Sequence, residues 1–508
     1  MTRLLTLGLD GAAWHKLSRM IADGDLPNLA RLAETGATGT LESVHPPVTC
    51  PAWRCSTSGK NPGKLGVYWW LDFDRATGRF SSPDSRSFDT ADAWDYLGAA
   101  GHESAVVNVP MTYPPAPVDG LLVAGFGAPF EYDVDEPLTH PPDYEDELRE
   151  AYDWRIGVDD VTAPGGVEET LDLMRSRFEL LLDLLADDDH EYVHLTLFYI
   201  NVLQHKFGDG PETARGWRLV DEYLGKLPDD LTKLVYSDHG HSHIDQTFVV
   251  NKYLVDEGYL QLEDSAGGGV TGHLYSLLKR AGVSPRTAAR LGDAVLPDAV
   301  MERLVESGYP VPTADVAAHV DWEASTAIAL SQGPVYLDRD GLGEDYETVR
   351  AELREELASL SFDGEEPLDR VMPAEDVYDG PHVDDAPDLM LVAADGWELY
   401  GGLTPSAVER QVTSWTSGNH PDGIVLCHGP DVRDTELPPQ SLVDVMPTVL
   451  RYFDCPVPTD VDGTAIEEAF DPQLPDPGTR DPLDPAADRR TDPDGDLERR
   501  LTDLGYLE

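Results

Sequence analysis

The sequence predicts an α/β fold: a layered domain with a largely parallel central sheet, helices on both faces and an inserted cap. Three observations predict it. Short apolar runs rich in β-formers recur at Leu4–Leu9, Ser104–Val109, Leu121–Ala124, Tyr192–Ile200, Lys233–Tyr236, Leu389–Ala393 and Ile424–Cys427. These runs are continuous rather than alternating, which implies strands covered on both faces. Helical patterns such as Pro27–Thr35, Val167–Leu185 and Tyr346–Leu360 lie between them, and strand–helix alternation of this kind belongs to layered α/β domains.

The local signals agree. Pro27 suits a first helical turn, where its missing N–H goes unneeded, and Gly36 suits the stop after Thr35. In HPPVTCPAWRCSTSG, Pro51 and the residues after it suit the opening of another helix, which Gly59 ends. The stretch 264–313 breaks the rhythm with consecutive glycines and basic helical residues, and reads as an insertion or cap within a catalytic domain spanning 1–470. Residues 471–495 form an acidic, proline-rich linker, and 496–508 return to the pattern of an amphipathic terminal helix. No repeat of solenoid period is present.

Of 508 residues, 41% are apolar, enough for a substantial core and too many for a disordered chain. Asp and Glu number 95 against 37 Lys and Arg, a formal charge of −58. Such a chain repels phosphate backbones and anionic lipid, which argues against nucleic-acid binding and membrane-surface attachment. The charge describes the solvent more than the task. In concentrated salt the Debye length shrinks to about 3 Å at 1 M, so the composition is that of a halophilic protein. The four cysteines, Cys50, Cys55, Cys427 and Cys455, form no CxxC pair and read as neither a disulfide framework nor a zinc knuckle. The first apolar run is too short for a leader and is interrupted by Asp10, and no stretch reaches membrane-span length. A soluble, cytoplasmic protein is expected.

Asp10, Asn201 and Asp238 each stand just past a predicted strand, where ligands collect in open α/β sheets. Taken singly, each is better explained as a turn residue. The run YSDHGHSHIDQ is more specific. Asp238 and His239 are adjacent, and Gly240 permits a sharp turn after them. A carboxylate beside an imidazole suits a divalent cation such as zinc or manganese. His241 is a candidate supporting residue, whereas His243 and Asp245 read as an exposed polar turn. Thr49 would sit at the amino-terminal mouth of its helix, where unpaired N–H groups favour phosphate, although a threonine there also serves as a cap. Its hydroxyl becomes a nucleophile only beside a base or metal. His205 follows Asn201 by four residues and shares a face with it if a helical turn follows the strand. His420 lies in a turn before the run Ile424–Cys427. In isolation, each of these two histidines reads as structural. Arg54 either contacts phosphate or makes a local ion pair.

Taken in order, LGLDGAAW, PPVTCPAW, NPGKLGVY, NVLQH, SDHG, FVVNKYLVDEGYL, VDWEASTAIAL, GPVYLDRDG, VYDGP, APDLMLVAADG, SGNHPDG and VDVMPTVLRYFDCPVPTDVDG resemble the alkaline phosphatase superfamily. The nearest branch is that of the type I phosphodiesterase and nucleotide pyrophosphatase-like proteins. The order and spacing of these segments, over most of the chain, carry the resemblance. It implies an alkaline-phosphatase-like core and a site for two divalent cations, zinc foremost, with manganese or magnesium as alternatives. Asp10, Asp238 and His239 would hold one cation, with Thr49 as the nucleophile bridging toward it. His205 and His420 would hold the other with Asn201, where the family pattern has an aspartate. An asparagine coordinates through its carbonyl oxygen but brings no charge and binds zinc less well.

The implied activity is metal-dependent hydrolysis of a small phosphate ester, a diester foremost, through a phospho-threonine. Two rivals stay open: a weakened member that binds phosphorylated ligands, motivated by Asn201, and a phosphotransferase with an acceptor other than water. A sulfatase is disfavoured because Thr49 holds the nucleophile position and Trp53 stands where that motif has arginine. A cofactor-independent phosphoglycerate mutase is disfavoured because that branch generally uses serine. The asparagine that usually follows the threonine in nucleotide pyrophosphatases is replaced by Pro51 and Ala52, so nucleotide specificity is not implied.

Overall fold

The computed structural model describes residues 3–262 and 316–484, apart from 76–78, 89, 130–135, 159, 188, 318–319 and 323. The expected insertion at 264–313, the linker beyond 484 and the terminal helix at 496–508 lie outside the described residues.

The chain opens with strand β1 (Leu4–Leu9), buried at every position. Helices α1 (Trp14–Ala22) and α2 (Pro27–Thr35), strand β2 (Ala37–Glu42) and helix α3 (Thr49–Ser58) follow. Then come β3 (Ser104–Val109), β4 (Gly120–Ala124), β5 (Thr139–His140), α4 (Gly166–Asp187), β6 (Tyr192–Leu197), α5 (Tyr199–Phe207), α6 (Pro211–Leu224), β7 (Thr232–Tyr236) and β8 (Gly240–His243). Late in the chain lie β9 (Ser417–His420) and β10 (Asp422–His428). A ten-stranded sheet runs β2–β10–β7–β1–β6–β3–β4–β5, with two short strands, Thr435–Glu436 and Gln440–Ser441, beside β2. Its centre, β7–β1–β6–β3–β4, is parallel throughout. β10 runs antiparallel to both of its neighbours, and β5 to β4. Two helix layers cover the sheet. In one, α2, α4, α5 and α6 pack on each other; in the other, α3 packs with the helix Val445–Tyr452, which also touches Ala93–Ala99. Continuous apolar strands follow from this enclosure, since neither face of the central sheet meets water.

The structure also departs from the sequence reading. Leu389–Ala393 lies outside the central sheet, in a separate four-stranded antiparallel sheet with Ala327–Ala329, Pro334–Leu337 and Leu368–Pro373. An apolar run reports burial, not which sheet does the burying. The run Tyr192–Ile200 is not one strand: β6 ends at Leu197 and α5 begins at Tyr199. Hydrophobicity carries no boundary there because both elements are buried. Gly36 ends α2 with an extended backbone, φ −119°. A Cβ on it would lie 2.3 Å from the Cys427 carbonyl, so close packing against β10 demands the glycine. Gly59 does end α3 in the left-handed region, φ +70°.

All four cysteines are buried free thiols. Among the described residues, no helix is long and apolar enough to cross a membrane. The charge of −58 makes the fold sensitive to screening. Lowering salt from about 1 M to about 0.1 M lengthens the Debye distance from about 3 to about 10 Å. The melting temperature is expected to fall steadily across that range, and a flat profile in a sodium chloride series would remove self-repulsion as a destabilising force.

Candidate active site

Sheet register brings the first pair of acids together. Gly8 of β1 stands opposite Tyr236 of β7 in a parallel pair. Asp10 and Asp238 lie two positions beyond these partners, so strand periodicity turns both toward the same side at the carboxyl ends. Gly8 has a packing reason: a Cβ there would meet the Trp53 ring at 2.3 Å. Trp53 uses that space to donate its Nε1–H to Asp10 Oδ2 at 2.9 Å. Gly11, at φ +68°, folds back so that its N–H reaches Asp238 Oδ1 at 3.3 Å.

His239 closes the group. Its Nδ1 lies 2.8 Å from the Gly240 carbonyl, which places the proton on Nδ1 and leaves Nε2 with a lone pair. Nε2 faces Asp238 Oδ2 at 3.2 Å and Asp10 Oδ1 at 3.7 Å. Thr49 Oγ1 sits 3.2 Å from the same nitrogen. Asp10, Thr49, Asp238 and His239 are all fully buried. Thr49 is the first residue of α3, and its hydroxyl is directed to His239 rather than capping its own helix.

Two carboxylates meeting in a dry site are costly unless a positive charge joins them. Asp10 Oδ1 and Asp238 Oδ2 have no hydrogen-bond partner. Burial, and then repulsion from Asp238, push the Asp10 carboxyl well above its ordinary pKa. Burial likewise raises Asp238 to about 8. One ligand atom from each of Asp10, Asp238 and His239 lies within 4.8 Å of the others. Two hard oxygens and an imidazole nitrogen aimed at one buried point fit a divalent cation.

A second group adjoins the first. Asn201 and His205 are both buried on α5, and an ideal Cβ on Gly11 would lie 2.6 Å from Asn201 Oδ1. The His205 Nδ1 is bonded to the Ser417 carbonyl at 2.8 Å. Its ring stacks on Trp415 at 3.7 Å between centroids, and the His241 ring lies 5.0 Å away. His420, the remaining expected ligand, has neighbours of its own. It lies in β9 opposite Gly240, not in a turn. Its Nδ1 accepts from the Asp422 N–H at 3.1 Å, and its Nε2 approaches Asp395 at 3.4 Å. His243 and Asp245 are exposed and face one another at 3.6 Å.

Arg54 makes the local pair and not a contact with this cluster. It is buried, donates to Asp92 at 2.7 Å and to the Met111 carbonyl at 2.9 Å, and lies over the Phe88 ring. Sequence reasoning missed the part played by Trp53 and by Gln204, whose Nε2–H holds the Gly11 carbonyl at 3.0 Å. Neither announces itself, since a tryptophan in a buried helix reads as core.

Comparison with solved structures finds the same architecture elsewhere. Murine ectonucleotide pyrophosphatase/phosphodiesterase 5 matches at 15% identity and a TM-score of 0.51, over 91% of this chain and 97% of that one. Phosphonoacetate hydrolase from Sinorhizobium meliloti 1021, in complex with phosphonoacetate, matches at 16% and 0.53, over 88% of this chain and 94% of that one. At such identities the likeness is one of fold. Comparison with the curated proteins finds no match. The sequence profile of the type I phosphodiesterase/nucleotide pyrophosphatase family spans residues 4–421, which takes in β1, α3, α5, β8 and β9. With its alkaline-phosphatase-like fold and the acids and histidine gathered at the ends of β1 and β7, the chain belongs to the type I phosphodiesterase/nucleotide pyrophosphatase family of phosphoester hydrolases.

Proposed function

We propose that the chain is a metal-dependent phosphodiesterase that works through a phospho-threonine formed on Thr49. The observation that supports this most directly is the Thr49 hydroxyl, 3.2 Å from His239 Nε2, at the buried meeting point of Asp10, Asp238 and His239. Those three residues would hold a divalent cation, zinc with manganese or magnesium as alternatives. When bound, that ion supplies positive charge that lowers the hydroxyl pKa and draws an anionic ester into an acidic protein.

The chain's own groups do the rest. Trp53 holds Asp10 by Oδ2, leaving Oδ1 turned inward. The position of Thr49 at the start of α3 leaves the N–H groups of Thr49 and Cys50 to face a phosphate placed against its hydroxyl, since Pro51 has none and that of Ala52 bonds the Val48 carbonyl. Thr49 Oγ gives its proton to solvent water and attacks phosphorus; the bond from phosphorus to the ester oxygen breaks and that oxygen takes a proton from water. A further water then attacks the phospho-threonine, the bond to Oγ breaks, and a proton returns to the hydroxyl. A second cation position would draw on Asn201 and His205 with a third donor, for which the resemblance points to His420.

The test is hydrolysis of bis-p-nitrophenyl phosphate and of the monoester in high salt, after chelation and after return of zinc, manganese or magnesium. Turnover that needs the cation and favours the diester is expected. Asn201 motivates a second reading, a phospho-ligand binder. Folded protein that binds phosphate but turns over neither ester with any cation would establish it instead. Asn201→Asp is expected to tighten the second cation by about tenfold or more, since a carboxylate replaces a neutral amide. Calorimetric titration with zinc measures this, and an unchanged affinity would remove residue 201 from the ligand set.

A further inference from the structure

The second cation position carries a feature that the family resemblance does not supply. His241 is fully buried; its ring lies beside the Gln204 carbonyl, yet neither ring nitrogen makes a hydrogen bond of good geometry. A buried polar atom left so is costly, and a purely structural histidine here would carry that cost without return. The Asn201 amide reaches toward Asp10, and its Oδ1 has no partner of good geometry. His239 belongs to the acid cluster, and two residues further along, His241 lies on β8. There its ring lies 5.0 Å from that of His205. His205 has Nδ1 committed to the Ser417 carbonyl, so its basic nitrogen is Nε2, the arrangement in which an imidazole ligates a metal. His420, by contrast, is opposite Gly240, whereas His241 is opposite Asn419. Alternation therefore sets His241 and His420 on different faces of the β8–β9 ribbon.

We propose that His241 is the donor that completes the second cation position with His205 and Asn201, in place of His420. The site so built holds two imidazoles and one amide oxygen and brings no negative charge. That donor set favours zinc strongly over magnesium, which prefers oxygen ligands and carboxylates. The absence of an aspartate at 201 is then offset by nitrogen ligation rather than left as a defect. This inference rests on the proposed hydrolase reading and extends it to the composition of the second site.

Two measurements on the full chain test it. In the first, crystals of the unsubstituted protein are soaked with zinc and the anomalous scatterers located. The expected result is one ion at Asp10, Asp238 and His239 and another with a His241 nitrogen at about 2.0–2.1 Å. A second ion bound through His420 with His241 standing aside overturns the inference and leaves the hydrolase reading intact, as does a single ion at the acid cluster. Absence of any ion at the acid cluster removes the metal-dependent reading as well. In the second, cobalt bound per chain is counted for the unsubstituted protein, His241→Gln and His241→Phe, with circular dichroism to show folding. The expected outcome is a fall from two ions to one, with the second affinity weakened by about 100-fold or more. Equal stoichiometry and affinity in either folded variant overturns the proposal. Should both variants unfold, the anomalous map decides alone. Magnesium is expected to leave the second position empty at concentrations where zinc fills it.

Discussion

Thr49→Ala is expected to lower kcat toward a phosphodiester by on the order of 10⁶-fold, a loss comparable to removing the nucleophile of other covalent hydrolases. The change deletes the buried hydroxyl, whose contacts are with His239 and Asp238, together with the γ-methyl, and leaves only Cβ at the first position of α3. Folding should survive, so the melting curve is expected to stay close to that of the unsubstituted protein. Thr49→Ser keeps a hydroxyl at the same position and is expected to keep most of the turnover. The triplet of proteins therefore separates loss of a nucleophile from loss of packing. Acid quenching during turnover, followed by mass spectrometry, should find the phosphoryl group on Thr49 and not on the alanine variant. An alanine variant as fast as its parent would place the covalent chemistry elsewhere or remove it.

The second large effect is thermodynamic. In metal-free protein, the Asp238 carboxyl is raised by burial to about 8, above its value of about 4 in an unfolded chain. A group whose folded pKa is raised contributes stability that is complete below the unfolded pKa and is lost as pH rises through the folded one. Chelated protein should therefore be stabler near pH 5 than near pH 9, with the loss spread between about 4 and 8. A bound cation requires the carboxylates ionised, so it reverses the slope and makes neutral to alkaline pH the stable side. Zinc at about 1,000 times its dissociation constant should add about 4 kcal/mol at 25 °C. Asp238→Asn replaces a buried charge with a neutral amide. Its metal-free form should be less sensitive to pH than the parent, and it should gain little from zinc. Denaturant titrations with and without chelator measure all of this. A parent protein whose stability ignores both pH and cation would mean that burial does not raise Asp238 and that the two carboxylates hold no cation.

The legible part of the molecule was what burial and turns write into the chain. The continuous apolar runs at Leu4–Leu9, Ser104–Val109 and Tyr192–Leu197 became neighbouring parallel strands, and Pro27 and Gly59 bounded their helices as expected. Asp10 and Asp238 were legible because a polar residue at the end of a buried strand stands out. Their shared register was not, since pairing of β1 with β7 joins residues more than two hundred positions apart. Leu389–Ala393 was misplaced because hydrophobicity is blind to the identity of the covering layer. His241 was only a neighbour in the sequence. Its significance depends on a ring contact with His205 that requires the fold of α5 against β8. Trp53 was opaque for the same reason: nothing in its spacing shows that an indole proton holds a carboxylate.

Every residue of α3 is buried, and that has a consequence for how this protein changes under selection. The helix has no watery side on which substitutions are free. Ser56 bonds the Tyr236 hydroxyl, Thr57 bonds Asp92, Ser58 bonds the Arg54 carbonyl and Trp53 bonds Asp10. A mutational library aimed at the ten positions of this helix should therefore return mostly unfolded clones, and new substrate preferences will be found by varying other segments. The helix acts as a keel, and adaptation is confined to the deck.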